Sequence, residues 1–254
     1  LGESLNQIAS EKAGIVKPGV PVVCGVEEAG AYQTIKKRAE ELKAPFYGVF
    51  HSKENFSVRK TGREYSFIYK SGGKKYVFSP SLQGEHQGRN AAVAIEACEQ
   101  LSTGWKRLKK DKIVEGIERT KWEGRLEVVS RKPLITLDGA HNVEGALALK
   151  KYIKDSLPSP LVFLFAVMRD KEIEKIADIL FPLAEKVILT QFSYFKAASP
   201  DDIETKAPGY QDRIIKEPDS RKALELAVRR AGDEGCVVVA GSLFLVGEIK
   251  KIIE

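Results

Sequence analysis

The second half of the chain alternates short apolar runs with longer amphipathic segments. The apolar runs predict β-strands at residues 125–130, 133–138, 161–167, 186–192 and 236–240. The segments in which apolar residues recur every three or four positions predict α-helices at residues 143–156, 171–184, 219–231 and 243–253. Apolar strands that alternate with helices are typical of a parallel sheet covered on both faces. We therefore expect a Rossmann-like parallel α/β domain over residues 122–254.

The first half has a mixed pattern of helices and strands. Amphipathic segments predict helices at residues 4–17, 30–43, 87–101 and 109–120. Apolar or alternating segments predict strands at residues 21–26, 45–50, 55–60, 63–70 and 75–79, of which the last two form a hairpin. The pattern changes at Trp122-Glu123-Gly124. We expect a domain boundary there, with a first domain over residues 1–121 and a second over residues 122–254.

Composition and charge narrow the class of protein. The chain has 254 residues, of which 43% are hydrophobic and 30% are charged, and its formal net charge is +6. These values are ordinary for a soluble globular protein, and no apolar run approaches the roughly 18–20 residues of a membrane span. The basic residues are not interleaved with aromatic ones, so the charge does not predict a nucleic-acid-binding module. Three isolated cysteines indicate a reducing compartment, and we expect a cytoplasmic protein.

Polar residues follow three of the strands predicted in the second half. Asp138 and His141 come after the second of these strands, Lys171 after the third and Ser242 after the last. Ligands bind at the carboxyl edge of open parallel sheets, and helix N-termini there attract anions. We therefore expect these residues to form a site, although each also has a plain structural interpretation as a cap or a solvated helix start.

Lys12 is the unusual residue of the first half. It lies on the same helical stripe as Leu5, Ile8 and Ile15. A lysine in such a position usually extends its amine to water. Burial would instead keep the amine partly neutral, and a neutral amine can react with CO2 to form a carbamate, which is a metal ligand of the carboxylate type.

Asn90 and Arg125 are further candidates. Asn90 lies in the polar segment His86-Gln87-Gly88-Arg89-Asn90, which begins a predicted helix, and Arg125 follows the boundary. Both could be ordinary surface residues, or Arg125 could reach a phosphate across the domain junction. The sequence contains neither the phosphate-loop pattern G-x-x-x-x-G-K-[ST] nor a G-x-G-x-x-G after a strand, and the second absence weighs against a dinucleotide-binding oxidoreductase.

Five motifs occur in a fixed order along the chain. They are residues 1–23 around Glu11-Lys12-Ala13-Gly14-Ile15, then His86-Gln87-Gly88-Arg89-Asn90-Ala91, Gly124-Arg125-Leu126-Glu127, Asp138-Gly139-Ala140-His141-Asn142 and Gly241-Ser242-Leu243. Each motif is weak alone, but the five in this order and spacing are specific. Together they resemble folylpolyglutamate synthase / dihydrofolate synthase of the Mur ligase superfamily. The resemblance implies the C-terminal part of a Mur-ligase-type central ATP-binding domain over residues 1–121, followed by the C-terminal α/β domain of such a ligase over residues 122–254.

The resemblance also implies the reaction. It is the ATP- and Mg²⁺-dependent addition of L-glutamate to the carboxylate of a folate or dihydropteroate through an acyl phosphate. Such a ligase has small-molecule substrates and no nucleic-acid or membrane partner, and we expect a monomer at full length. A peptidoglycan-precursor Mur ligase is the alternative, and a nucleotide-binding oxidoreductase domain is a less favoured one.

Roles for single residues follow from the resemblance alone. It implies that Lys12 is the carbamylated metal ligand. It implies that the nucleotide is bound by Asn90 at adenine, Asp138 at ribose and Arg125 at the phosphates. It implies that the glutamate or acyl-phosphate end is faced by His141, Lys171 and Ser242, so that the catalytic residues are Lys12, His141 and Lys171.

The family's phosphate loop lies upstream of the first motif. Because the chain begins at Leu1 and its only methionine is Met168, we expect it to lack the N-terminal half of its own enzyme. Without the phosphate loop, we expect the 254 residues alone to be inactive.

Overall fold

The computed structural model describes residues 4–52, 54–61 and 64–254. The chain divides into two compact units. The first contains the described residues of Leu1–Ser81 together with Glu85–Lys121, and the second contains Leu82–Gly84 and Trp122–Glu254. The main division therefore lies at the place where the hydrophobic pattern changes. Residues 1–3 of the first motif and residue 63 of a predicted strand lie outside the described residues.

The first unit combines four helices with two small sheets among its described residues. The helices are α1 (Leu5–Ala13), α2 (Ala29–Glu41), α3 (Glu85–Ser102) and α4 (Lys110–Arg119), and the strands are β1 (Val22–Cys24), β2 (Phe46–Gly48), β3 (Phe56–Thr61), β4 (Glu64–Ser71) and β5 (Lys74–Phe78). Strands β1 and β2 pair in parallel, and β3, β4 and β5 form an antiparallel sheet. Helix α3 packs closely on this sheet because Gly88 has no side chain: a Cβ there would lie 2.1 Å from the Phe67 ring.

The second unit is built on a six-stranded sheet. Its strands are β6 (Glu127–Arg131), β7 (Leu134–Leu137), β8 (Leu161–Phe165), β9 (Lys186–Leu189), β10 (Ile214–Lys216) and β11 (Cys236–Ala240), and its helices are α5 (Val143–Ser156), α6 (Ile173–Leu180), α7 (Pro200–Thr205), α8 (Ser220–Ala231) and α9 (Leu243–Ile253). The strand order is β10-β9-β8-β11-β7-β6. All neighbouring pairs from β10 to β7 are parallel.

The prediction of a parallel sheet is wrong for one strand. Strand β6 runs antiparallel to β7, with a register shift between Val128 and Ser130. The physical reason is the length of the connection. Arg131 pairs with Leu134, so only two residues join the strands, whereas a parallel connection needs a crossover of a dozen residues or more.

The core of the second unit lies on both faces of the sheet, as the apolar strands predict. On one face, Phe163 packs with Leu149 of α5 and Ile176 of α6. On the other face, Leu164 packs with residues of α8 and α9, including Leu245. The middle strands are buried from both sides, which explains why they read as continuous apolar runs.

Several predicted boundaries differ from the structure. The helix predicted at 171–184 is α6 followed by a 3-10 turn at Phe181–Leu183, because Pro182 has no N–H to continue the α-helical hydrogen bonds. The strand predicted at 186–192 ends at Leu189. The prediction missed α7 and β10 because elements of six and three residues are too short to show a period.

A buried hydroxyl in β7 provides a test of this core. Thr136 is fully buried, and its Oγ1 has no hydrogen-bond partner in the part of the chain that the structure describes. We expect Thr136→Val to raise the free energy of unfolding by about 1 kcal/mol, because an unsatisfied buried polar group costs about 1–3 kcal/mol. Urea denaturation followed by circular dichroism measures the change.

Thr190→Val is the matched control. Thr190 is equally buried, but its Oγ1 donates a hydrogen bond to the Pro218 carbonyl at 3.1 Å. Its replacement should lower the free energy of unfolding by about 1 kcal/mol, since a satisfied bond is lost. Equal destabilisation by both substitutions would contradict the assignment of Thr136 as an unsatisfied hydroxyl.

Candidate functional site

The carboxyl ends of β8, β11 and β7 lie side by side at one edge of the second unit's sheet. Each strand is parallel to its neighbour in this order. Backbone hydrogen bonds tie the segments that follow them: the Gly241 amide donates to the Ala140 carbonyl at 2.9 Å, and the Ala166 amide donates to the Ala240 carbonyl at 3.3 Å. We call this region the carboxyl edge.

Four of the predicted residues belong to segments at this edge. Asp138 and His141 follow β7, Lys171 lies between β8 and α6, and Ser242 follows β11. The topology therefore brings together residues that are far apart in the sequence. Their roles toward a ligand stay predictions.

Asp138 connects two backbone segments at the carboxyl edge. Its side chain is buried, with 7% of the residue exposed. One carboxylate oxygen accepts a hydrogen bond from the Ala140 amide at 2.9 Å, and the other accepts one from the Leu126 amide at 3.0 Å. Leu126 is itself buried and has a positive φ of 51°. Asp138 thus holds the segment before β6 against the segment after β7.

Burial raises the pKa of Asp138 above its ordinary value. The two amide hydrogen bonds and the nearby charges of Arg125 and His141 oppose this effect. The hydrogen-bond donors and the nearby charges therefore offset only part of the cost of burying the ionised carboxylate.

His141 has a defined orientation. Its Nδ1 lies 2.7 Å from the Gly139 carbonyl oxygen. Because a carbonyl can only accept, Nδ1 carries the proton, and a neutral His141 therefore has an unprotonated Nε2. The half-buried ring can accept a proton or a hydrogen bond at Nε2.

Ser242 and Lys171 have ordinary structural partners. The Ser242 hydroxyl is buried and caps α9 by accepting a hydrogen bond from the Phe244 amide at 3.1 Å. The Lys171 amine lies 3.2 Å from an Asp170 carboxylate oxygen and is partly exposed. The cap interpretation is therefore correct for Ser242, and a ligand role would have to be additional.

The close approach of β8 and β11 at this edge requires a glycine. Gly241 has a φ of 105°, and a Cβ there would lie 2.3 Å from the Ala166 carbonyl oxygen and 2.8 Å from Cε2 of Phe165. The Gly241-Ser242 motif thus has a packing requirement that is independent of any ligand.

Lys12 does not have the burial that would keep its amine partly neutral, and its exposure agrees with the plain interpretation that the amine extends to water. Lys12 is exposed, as are Leu5 and Ile15, while the buried residues of α1 are Ala9 and Ala13. Small alanines, not the larger apolar residues, face α2, because two helices approach closely where the side chains are short. The role of Lys12 as a carbamate stays a prediction without the burial that motivated it.

Asn90 belongs to the first unit and Arg125 to the second. Asn90 is exposed and donates through Nδ2 to the side-chain oxygen of buried Gln87 at 3.1 Å. Arg125 is half-buried, and its charge acts on Asp138. Their contacts with adenine and phosphate stay predictions.

Sequence reasoning missed a group of aromatic residues at the carboxyl edge. Phe192, Tyr194 and Phe195 follow β9, whose carboxyl end lies beside that of β8, and Phe244 lies in the first turn of α9, two residues after Ser242. The available signal was Phe192-Ser193-Tyr194-Phe195-Lys196 placed directly after an apolar strand. The prediction of a longer strand, to residue 192, concealed it.

Some kinds of site are not found in the described residues. No group of three or more His, Cys, Asp or Glu side chains in residues 4–52, 54–61 and 64–254 could hold a metal ion. Within those ranges no helix is both long and apolar enough to cross a membrane. Burial raises the pKa of the Cys24 thiol and raises that of Cys236 to about 11, so neither is an activated nucleophile.

The chain is similar in sequence to dihydrofolate and folylpolyglutamate synthases. A family model described as the C-terminal domain of dihydrofolate synthetase matches residues 123–252. The chain is 30% identical to the dihydrofolate synthase/folylpolyglutamate synthase of Bacillus subtilis, over 99% of this chain and 59% of that protein. It is also 30% identical to a probable dihydrofolate synthetase of Schizosaccharomyces pombe, over 100% of this chain and 62% of that protein. The chain thus spans about three fifths of these relatives.

Solved structures share the fold. The folylpolyglutamate synthase of Thermotoga maritima matches with a TM-score of 0.78 and 30% identity, over 98% of this chain and 57% of that one. The Mycobacterium tuberculosis folylpolyglutamate synthase, solved in complex with ADP, matches with a TM-score of 0.87 and 22% identity, over 100% of this chain and 60% of that one.

Proposed function

Because the chain belongs to the dihydrofolate synthetase family, we propose that it is part of a cytoplasmic, ATP-dependent ligase that adds L-glutamate to a folate or dihydropteroate carboxylate. The observation that supports this most directly is the family match over residues 123–252. That range includes the whole carboxyl edge, with Asp138, His141, Lys171 and Ser242. The proposal includes an acyl-phosphate intermediate, a monomeric enzyme and the residue roles that the motifs imply.

The chemistry of the carboxyl edge suits this reaction. Mg·ATP supplies the phosphoryl group that activates the acceptor carboxylate. The amine of glutamate attacks the carbonyl of the acyl phosphate, the C–O bond to phosphate breaks, and inorganic phosphate leaves. The amine must lose a proton in this step, and the unprotonated Nε2 of His141 can accept it. Lys171 adds a cation that can offset the charge of a carboxylate or phosphate. The Gly139 carbonyl, by fixing the His141 tautomer, keeps the accepting nitrogen available.

The described residues do not form a magnesium site by themselves. They contain no cluster of three or more metal-ligating side chains between residues 4 and 254, gaps at 53 and 62–63 excepted, and Lys12 is exposed. The sequence also lacks a phosphate-loop pattern. We therefore propose that the remaining two fifths of the enzyme supply the phosphate loop and most metal ligands, and that these 254 residues alone do not catalyse ligation.

A product assay tests the proposal. The whole gene product that contains these residues is mixed with Mg·ATP, L-glutamate and either dihydropteroate or tetrahydrofolate, and the glutamylated folate is identified by mass spectrometry. We expect one product molecule per ADP formed. His141→Ala should lower kcat by about 100- to 10,000-fold, as expected for the loss of a general base, while leaving acceptor affinity unchanged.

The same assay distinguishes a folate ligase from the alternative, a peptidoglycan-precursor ligase. A UDP-linked muramoyl acceptor replaces the folate, and the amino acid is varied. Product from that acceptor and none from either folate would contradict the proposal in favour of a peptidoglycan-precursor ligase. Steady phosphate release by the 254-residue chain alone would contradict the assignment of the phosphate loop to the rest of the enzyme.

A further inference from the structure

A row of aromatic rings extends from the core of the second unit to its surface at the carboxyl edge. Phe192 stacks on Phe244 with ring centroids 5.7 Å apart, and Phe244 stacks on Tyr194 at 4.7 Å, both pairs within 10° of parallel. Tyr194 then contacts Phe195, also at 4.7 Å. We call Tyr194, Phe195 and Phe244 the aromatic shelf.

The outer part of the shelf is open to solvent. Phe192 is 2% exposed, but Phe244 is 51% and Phe195 is 75% exposed. Leu243, beside Phe244, is also exposed. Single exposed apolar residues are common, whereas adjoining exposed rings beside a candidate site indicate a binding surface.

The shelf is held in place by neighbouring elements. A Glu248 carboxylate oxygen on α9 accepts a hydrogen bond from the Ser193 amide at 3.0 Å. The Arg169 amide donates to the Lys196 carbonyl at 3.0 Å, and Met168 forms an isolated antiparallel bridge with Ala197. These bonds fix the segment on both sides of Phe195, so a ligand would meet rings that are already ordered.

Cationic side chains accompany the rings. The Lys196 amine lies 5.6 Å from the centroid of Phe195. Arg169 and Lys171 belong to the neighbouring segment after β8, where they lie near Asp202 and Asp170 respectively. Flat apolar faces beside amines and a guanidinium complement a ligand that carries both an aromatic ring and a carboxylate.

We propose that the aromatic shelf binds the benzoyl ring of the acceptor substrate, beside the cations of the carboxyl edge. The inference rests on the proposed ligase function, because that function supplies an acceptor that carries both a benzoyl ring and a reacting carboxylate. It adds a specificity surface, Tyr194, Phe195 and Phe244, that the motifs do not contain. A nucleotide base and a second copy of this chain are the competing occupants.

Binding of a small aromatic acid to the 254-residue chain tests the shelf. The probe is para-aminobenzoyl-L-glutamate, with L-glutamate and Mg·ATP titrated separately, and ligand line broadening in NMR gives each Kd. We expect Phe195→Ala to weaken binding of para-aminobenzoyl-L-glutamate by about 5- to 10-fold, the loss of one ring pair, and to leave L-glutamate unaffected. Phe195→Tyr, which keeps a ring, should bind like the wild type.

Trp105→Ala is the control for a nonspecific aromatic effect. Trp105 is 65% exposed in the first unit, and its loss should change none of the three affinities. Circular dichroism checks that Phe195→Ala is folded, which its exposed position favours. Gel filtration of the same variants checks for a second copy of the chain.

Other results overturn the proposal. The proposal is wrong if the aromatic probe does not bind the wild type, or if Phe195→Ala binds the probe with an unchanged Kd. It is also wrong if Phe195→Ala loses affinity for Mg·ATP and not for the probe, or if the wild type is a dimer that dissociates in Phe195→Ala. The ligase assay separates the two hypotheses. If Phe195→Ala weakens binding of para-aminobenzoyl-L-glutamate but the whole enzyme does not glutamylate a folate, only the ligase proposal is rejected. If the whole enzyme glutamylates a folate but Phe195→Ala binds the probe with an unchanged Kd, only the shelf proposal is rejected.

Discussion

Gly241→Ala is expected to destabilise the second unit by more than about 4 kcal/mol, a loss that few single substitutions reach. Two effects add. The φ of 105° is unfavourable for alanine, at a cost of roughly 1–2 kcal/mol. The new Cβ would also lie 2.3 Å from the Ala166 carbonyl oxygen, which is backbone and cannot rotate away. Relief requires β8 and β11 to separate at the carboxyl edge.

Gly209→Ala separates the conformational cost from the steric one. Gly209 has a similar φ of 93°, and its Cβ would meet no described atom within 4 Å. It should lower the free energy of unfolding by only about 1–2 kcal/mol. Urea denaturation of both variants gives the comparison, and a loss at Gly241 no larger than that at Gly209 would show that the strand ends can move apart easily.

Asp138→Ala is expected to cost about 3–5 kcal/mol of unfolding free energy. The substitution leaves the amides of Leu126 and Ala140 buried without their carboxylate acceptor, and each unpaired group costs about 1–3 kcal/mol. The positive φ of Leu126 also loses the bond that supports it. Thermal and urea unfolding of the purified chain measure the loss.

Two further variants test whether the loss of stability in Asp138→Ala comes from its missing hydrogen-bond acceptors. Asp138→Asn keeps one acceptor oxygen and should cost about half as much as alanine. Asp170→Ala removes an exposed carboxylate after the neighbouring strand and should change stability little. If Asp138→Ala were as mild as Asp170→Ala, the carboxylate would not be the connection between the two segments. A ribose contact predicts, in addition, weaker nucleotide binding by Asp138→Asn.

The sequence predicts the second unit well because its strands are buried on both faces. Apolar runs such as residues 236–240 have no competing interpretation, and β11 has the bounds that the pattern indicates. The antiparallel direction of β6 was missed, although only two residues separate the predicted strands at 125–130 and 133–138 and a parallel connection needs a dozen or more. The parallel pattern of the later strands was wrongly extended to β6.

The candidate site was predictable only as a location. Parallel strands place Asp138, His141 and Ser242 at one edge, whatever their side chains do. The partners of these side chains were not predictable, because the Asp138 bonds reach amides from two separate segments. The exposure of Lys12 shows a related limit. Helical period identifies a stripe of apolar residues, but the buried positions of α1 are the alanines beside that stripe, Ala9 and Ala13.

The two outer strands of the six-stranded sheet limit how readily this sheet could pair with another chain. Exposed strand edges are templates for pairing with another chain. Strand β6 has a register shift between Val128 and Ser130 in its pairing with β7, and such irregularities bend a strand and increase its twist. Strand β10 is three residues long and ends at Lys216, whose amine lies 2.8 Å from carboxylate oxygens of both Asp201 and Glu204. A sheet bounded in this way offers no long, flat and apolar edge on which amyloid-like stacking could begin.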